Sequence, residues 1–127
     1  MRDIDERTCI RVMAYKPMSC GNTNVSINNY LGAPKEASVF LHGNFIYSYN
    51  TDGEEVFTLH GWNTPTTRRR LNALLLHGAV CQKNYKPYIV IGNDMHEISA
   101  DKYYKHTVKD GWTVADSPLD EYKPLNW

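Results

Sequence analysis

What the chain lacks excludes more than what it has. Lys plus Arg equal Asp plus Glu at 14 each, so no global field draws it toward nucleic acid or an anionic membrane. A nucleic-acid contact would need a local patch. No apolar run approaches the ~20 residues of a membrane helix. The opening MRDIDERTCI carries no apolar signal core. Three cysteines, Cys9, Cys20 and Cys81, form no CxxC pair and point to reduced thiols rather than a disulfide framework or a zinc knuckle. There is no H-E-x-x-H or comparable spacing, no internal repeat and no low-complexity segment. Neither a metal nor a cofactor is implied, and no residue stands out as catalytic.

What is present is aromatic. Nine Tyr, three Phe and three Trp in 127 residues suit half-buried sheet faces and contact surfaces. At this length the chain is expected to form one domain, 1–127, with its core over about 22–98 and the segments 1–21 and 99–127 wrapping it or extended.

The central stretch organises the rest. Val39 to Gly78 reads as hairpins feeding one amphipathic helix. SVFLH and FIYSY flank Gly43-Asn44, a two-residue link that permits positive φ. With that turn, His42 faces Phe45, Leu41 faces Ile46, Phe40 faces Tyr47, Val39 faces Ser48 and Ser38 faces Tyr49. Alternation then sorts Val39, Leu41 and Ile46 onto an aliphatic side, and Phe40, His42, Phe45, Tyr47 and Tyr49 onto an aromatic side. Asn50 to Gly53 turns into a third strand, Glu55 to His60. Thr64-Pro65-Thr66-Thr67 starts a helix, with either Thr64 or Thr66 as its cap. Thr67, Leu71, Leu74, Leu75 and Gly78 fall on its inner face, Arg68 and Arg70 flank that face, and Arg69 and Leu76 point away. Gly78 is expected to end the helix in a left-handed conformation.

Elsewhere, Thr8 to Tyr15 reads as a strand with Ile10, Val12 and Ala14 on one side, and Asn24 to Asn28 as a second strand. Asn29 to Lys35 reads as a loop. Ala79–Lys83, Pro87–Ile91 and Met95–Ile98 read as further strands. Ser99 is read as capping a short helix over Ala100 to His106. The polar stretch from Lys109 is read as an extended tail pinned by Trp112 and Trp127. The sum is α+β: a mostly antiparallel sheet, a meander plus further strands, with one main amphipathic helix on one face.

VFLHGNFIYSY followed by LHGWNTPTTRRRLNALL resembles a family of small tailed-bacteriophage accessory proteins. The residues that carry the likeness are Asn22, Thr23 and Val25, then Val39, Leu41, His42, Gly43, Asn44 and Ile46. Gly61, Trp62, Thr66, Thr67, Arg70, Leu71, Asn72, Ala73 and Leu74 complete it. It spans about the middle half of the chain, leaving the first twenty residues and those after Ile98 particular to this protein. No activity comes with it. It implies a phage origin, the host bacterial cytoplasm as location, no membrane, and an accessory role.

Three functional readings follow. The leading one is a non-enzymatic, inhibitor-like protein that binds a host protein of a defence or gene-expression machine. The second is a nucleic-acid-binding module using Arg68, Arg69 and Arg70 with the aromatic sheet face. The third is a nuclease or phosphodiesterase built on histidine, because His42, His60 and His77 each sit in a Leu-His-Gly tripeptide. Candidate binding residues are Arg68, Arg69, Arg70, Leu76, Phe40, Tyr47 and Tyr49. Arg70 has a structural alternative, an ion pair with Glu54 or Glu55. Trp62 is read as a plug between sheet and helix. An uncovered aromatic face would equally serve a homo-oligomer.

Overall fold

The computed structural model describes residues 3–125. The fold is α+β and dominated by sheet. Its elements run α1 (Asp3–Met13), β1 (Met18–Cys20), β2 (Thr23–Asn28), β3 (Glu36–Leu41), β4 (Asn44–Asn50), β5 (Glu55–Phe57), α2 (Pro65–Leu74), β6 (Ala79–Lys83), β7 (Lys86–Ile91), β8 (Asp94–Glu97), β9 (Tyr103–Thr107), β10 (Gly111–Ala115) and β11 (Lys123–Pro124). Eight strands form one antiparallel sheet in the order β1-β2-β3-β4-β5-β9-β10-β11, and β6-β7-β8 form a second, smaller one. Helix α2 and the small sheet are thus inserted between β5 and its neighbour β9. One hydrophobic cluster joins both sheets, from Val12 and Val25 through Tyr47, Phe57 and Leu71 to Val80, Ile89 and Ile98.

The first helix replaces the strand expected over Thr8 to Tyr15. Asp3, Asp5 and Glu6 sit in its first turn and Arg11 in its last, complementing the helix dipole at both ends. Arg7 pairs with Asp3 one turn away at 2.8 Å. Asp5, Thr8 and Val12 form the buried stripe, whereas Ile10 is 59 % exposed. The alternation of Ile10, Val12 and Ala14 was a coincidence of period, and helix spacing describes the burial better.

A bulge reorganises the central hairpin. The turn is His42-Gly43, not Gly43-Asn44, and Leu41 pairs with Asn44 and Phe40 with Phe45. The register then shifts, so that Val39 pairs with Tyr47 and Ala37 with Tyr49, leaving Ile46 as the extra residue. One inserted residue moves everything beyond it to the opposite face. Tyr47 therefore turns inward beside Val39, and Tyr49 stacks on Tyr15 at 6.4 Å between ring centroids. The aliphatic set Val39, Leu41 and Ile46 is buried as expected. On the opposite face Phe45 meets Phe40 edge-on at 6.0 Å and stacks on Tyr103 at 6.2 Å.

Thr64 caps α2, its hydroxyl accepting from the Thr67 N–H at 3.3 Å, and Pro65 occupies the first helical turn. Burying Leu71 and Leu74 contributes about 1.5–3 kcal/mol each. The helix stops at Leu74 with an extended Leu75, so Gly78 is not its left-handed terminator. Gly78 serves close approach instead: a Cβ there would lie 3.1 Å from the Ile89 side chain and 3.2 Å from the Val90 carbonyl oxygen.

The segment after Ile98 is also strand. Ser99 caps no helix; its N–H donates to the Tyr104 hydroxyl at 2.7 Å, and β9 pairs with both β5 and β10. Trp112 lies in β10, an interior strand of the main sheet rather than an extended tail. Trp127 lies outside the described residues.

Candidate functional site

The arginine triplet is turned inward to the fold. Arg70 is 2 % exposed and ion-pairs with Asp5 of α1, itself 1 % exposed. Its partner is thus neither Glu54 nor Glu55. Arg69 Nε lies 3.3 Å from the other Asp5 oxygen. Arg68 folds back and donates to the Asn63 carbonyl at 3.0 Å and to Asn63 Oδ1 at 2.6 Å. Near the positive end of the helix, Asp5 thus faces Arg69 and Arg70, and the Asn63 loop holds Arg68.

The other candidates are scattered. Tyr47 is fully buried, and burial together with Glu55 raises its phenol pKa far above the ordinary value. It stays protonated and donates to Glu55 at 2.7 Å. Tyr49 stacks on Tyr15, just past the end of α1, Phe40 lies on the opposite sheet face and Leu76 at the surface, 52 % exposed. Tyr47 and Arg70 are core residues. The structure does not bring the seven candidates together.

A constellation that sequence reasoning left unresolved is brought together instead. A cavity of about 480 Å³ is lined by Leu41, His42, Asn44, Ile46, Leu59, His60, Trp62, Thr64, Thr66 and Thr67. Leu41, Ile46 and Leu59 form a buried apolar floor. The rim comes from two Leu-His-Gly tripeptides with the same backbone. His42 and Gly43 have φ of +52° and +78°, and His60 and Gly61 of +54° and +76°. Each turn leaves its leucine inward and its histidine at the rim. Left-handed histidines cost of order 1 kcal/mol each, a strain that the surrounding turns hold in place. The third tripeptide, Leu76-His77-Gly78, has no left-handed residue and lies elsewhere.

Trp62 is no buried plug, because 61 % of it is exposed at the cavity's edge. Asn22 Nδ2 lies 3.5 Å from His42 Nε2. The amino end of α2 supplies Thr64, Thr66 and Thr67 to the wall. Among the described residues, no carboxylate lines the cavity. The repeated Leu-His-Gly tripeptide was the sequence signal for this site, but which two copies would meet depended on the hairpin register.

His77 belongs to a separate, half-buried cluster around the buried Glu55. Glu55 accepts from the Tyr47 hydroxyl, from the Leu76 and His77 backbone N–H groups and from His77 Nδ1 at 2.9 Å. His77 stacks on His106 with ring centroids 3.7 Å apart, and Trp112 Nε1 donates to the His77 carbonyl at 3.1 Å. Burial and the neighbouring His77 lower the His106 pKa, partly offset by Glu55. Among the described residues, no group of three or more His, Cys, Asp or Glu is placed to hold a metal ion, and no helix is long and apolar enough to cross a membrane.

Fold and cavity together define a small α+β protein with an apolar-floored pocket beside an exposed tryptophan. The chain belongs to the Kyanoviridae Gp96 protein family, a family of phage proteins, whose model matches residues 1–114. The match takes in α1, β9 and most of β10, so neither the first twenty residues nor those just after Ile98 are particular to this chain. No curated protein and no solved structure matches it.

Proposed function

We propose that this phage protein acts without catalysis, by binding a host protein of a bacterial defence or gene-expression machine. The observation that carries the reading is the cavity: an apolar floor opened beside Trp62, 61 % exposed. Exposed tryptophans next to desolvated pockets are the usual energetic centres of protein interfaces. The arginines that would favour a nucleic acid are held by Asp5 and Asn63, and the formal net charge is +0. The test is a pull-down from host lysate with the tagged protein and with Trp62→Ala. One partner captured near stoichiometrically by the wild type, and at least tenfold less by the variant, supports the reading. An empty wild-type lane, or equal capture by both, sinks it.

A histidine-based phosphodiesterase is the second reading, favoured because His42 and His60 line one cavity. It requires turnover of RNA, DNA or cyclic nucleotides that His42→Ala or His60→Ala abolishes. Nucleic-acid binding without turnover would instead show as an affinity that falls steeply with salt.

A further inference from the structure

The cavity's chemistry is more particular than its apolar floor, and it narrows what the occupant can be. We infer that it receives the C-terminal residue of a partner chain, its apolar side chain on Leu41, Ile46 and Leu59 and its free carboxylate against His42, His60 and Thr66. The inference rests on the protein-binding reading above and names the partner's chemistry.

Size comes first. A volume of about 480 Å³ lies in the lower half of the range of ligand pockets and takes a terminal residue together with part of the one before it. Polarity comes second. The polar lining offers several donors: one N–H on each imidazole, the Asn44 amide, the Trp62 indole N–H and the Thr66 hydroxyl, while the Thr64 and Thr67 hydroxyls bond each other. Against these stand the Asn44 amide oxygen and the second nitrogen of each neutral imidazole, and among the described residues no carboxylate. The positive end of the ten-residue helix α2 adds to the same sign. A donor-rich, acid-free wall is complementary to an anion, and an apolar floor beside it is complementary to an apolar group on the same molecule.

Geometry then separates a chain end from an internal acidic residue. In an extended peptide, adjacent side chains point to opposite sides and those on one side stand two residues, about 7 Å, apart, so an internal acidic–apolar pair is spread wider than one residue's own groups. A C-terminal residue carries its carboxylate on the same Cα as its side chain. Both then enter together, and the preceding residue lies at the rim, where Trp62 is exposed.

The test uses the intact protein and N-acetyl-phenylalanine as the probe, with N-acetyl-phenylalanine amide as the uncharged control. Methyl and imidazole NMR resonances of Leu41, Ile46, Leu59, His42 and His60 report the site. The acid is expected to shift them saturably and about tenfold more tightly than the amide, as for loss of a charge-assisted hydrogen bond. Trp62→Ala, His42→Asn and His60→Gln are expected to weaken the acid. All three positions are outside the core, and Asn tolerates the left-handed backbone at 42. Equal affinities for acid and amide, shifts elsewhere than the cavity, or no shifts overturn the inference. So does self-association that closes the cavity, read by sedimentation as a dimer the acid does not dissociate. If the acid binds as expected while the lysate capture is empty, the host-protein reading fails and the carboxylate site stands. If a partner is captured through Trp62 while the acid and amide bind alike, the reverse holds.

Discussion

At the scale of single residues, the most consequential contact is the one between Asp5 and Arg70. Both are within 2 % of full burial, and they join two helices 65 positions apart. A buried pair adds little over a well-packed apolar one, but removing one partner strands a charge in the core. Asp5→Asn is therefore expected to destabilise the protein by about 3–5 kcal/mol, read as a lower urea midpoint at unchanged slope. The double change Asp5→Leu with Arg70→Met is expected to recover most of that loss. A single-variant loss well under 1 kcal/mol would remove the pair from the framework. The arginine triplet was plain in the sequence; its carboxylate was not, because Asp5 lies in the segment 1–21 read as wrapping or extended, ahead of the strand read over Thr8 to Tyr15, where the structure has one helix.

At the scale of elements, α2 is tied to the small sheet by a side chain that imitates a strand. Asn72 Nδ2 donates to the Val80 carbonyl at 2.9 Å, and its Oδ1 accepts from the Val80 N–H at 2.6 Å. The amide thus supplies β6 with the pair of bonds that a neighbouring strand would make. Asn72→Ala leaves both Val80 groups without that partner and is expected to cost about 1–3 kcal/mol. Hydrogen exchange checks it: protection of the Val80 amide should drop by more than that of Tyr47 or Val39, and a uniform drop would show that the clasp is not local. The bulge at Ile46 is the other element-level device. Without it Phe45, Tyr47 and Tyr49 would share one aromatic face; with it Tyr47 and Tyr49 join the core, and Tyr103 takes their place beside Phe45. The β3–β4 hairpin itself was legible from Gly43 and its flanking alternation. Its register was not, because both His42-Gly43 and Gly43-Asn44 satisfy a two-residue turn locally, and only burial of Ile46 and Tyr47 chooses between them.

At the scale of the whole molecule, the Glu55, His77 and His106 cluster joins three regions: β5, the link from α2 to β6, and β9. It also makes stability depend on pH. The folded state holds the His106 pKa below its ordinary value of 6.5, through burial and through His77. Its contribution is fully present above about pH 6.5 and is lost as pH falls toward the folded value, because there the unfolded chain takes up a proton that the folded one resists. Tm is expected to fall between pH 7.5 and 5.5, and His106→Phe, which keeps an aromatic ring on His77, is expected to flatten that slope. A slope unchanged by the substitution would assign the dependence to other groups.

The sequence by itself determined the class of this fold and most of its parts. The Thr64-Pro65 start of α2, the buried leucines 71 and 74, the strand around Val25 and the β6–β7 hairpin all rest on local capping, turn chemistry and periodicity, which act within a few residues. The pairing of distant parts was decided only in three dimensions. Asp5 meets Arg70, Tyr103 meets Phe45, and two of three Leu-His-Gly tripeptides open on one cavity, because those contacts depend on sheet order and on a one-residue bulge. Neither is written in any local pattern. Side-chain type is a property of the chain, whereas which side chains share a surface is a property of the register.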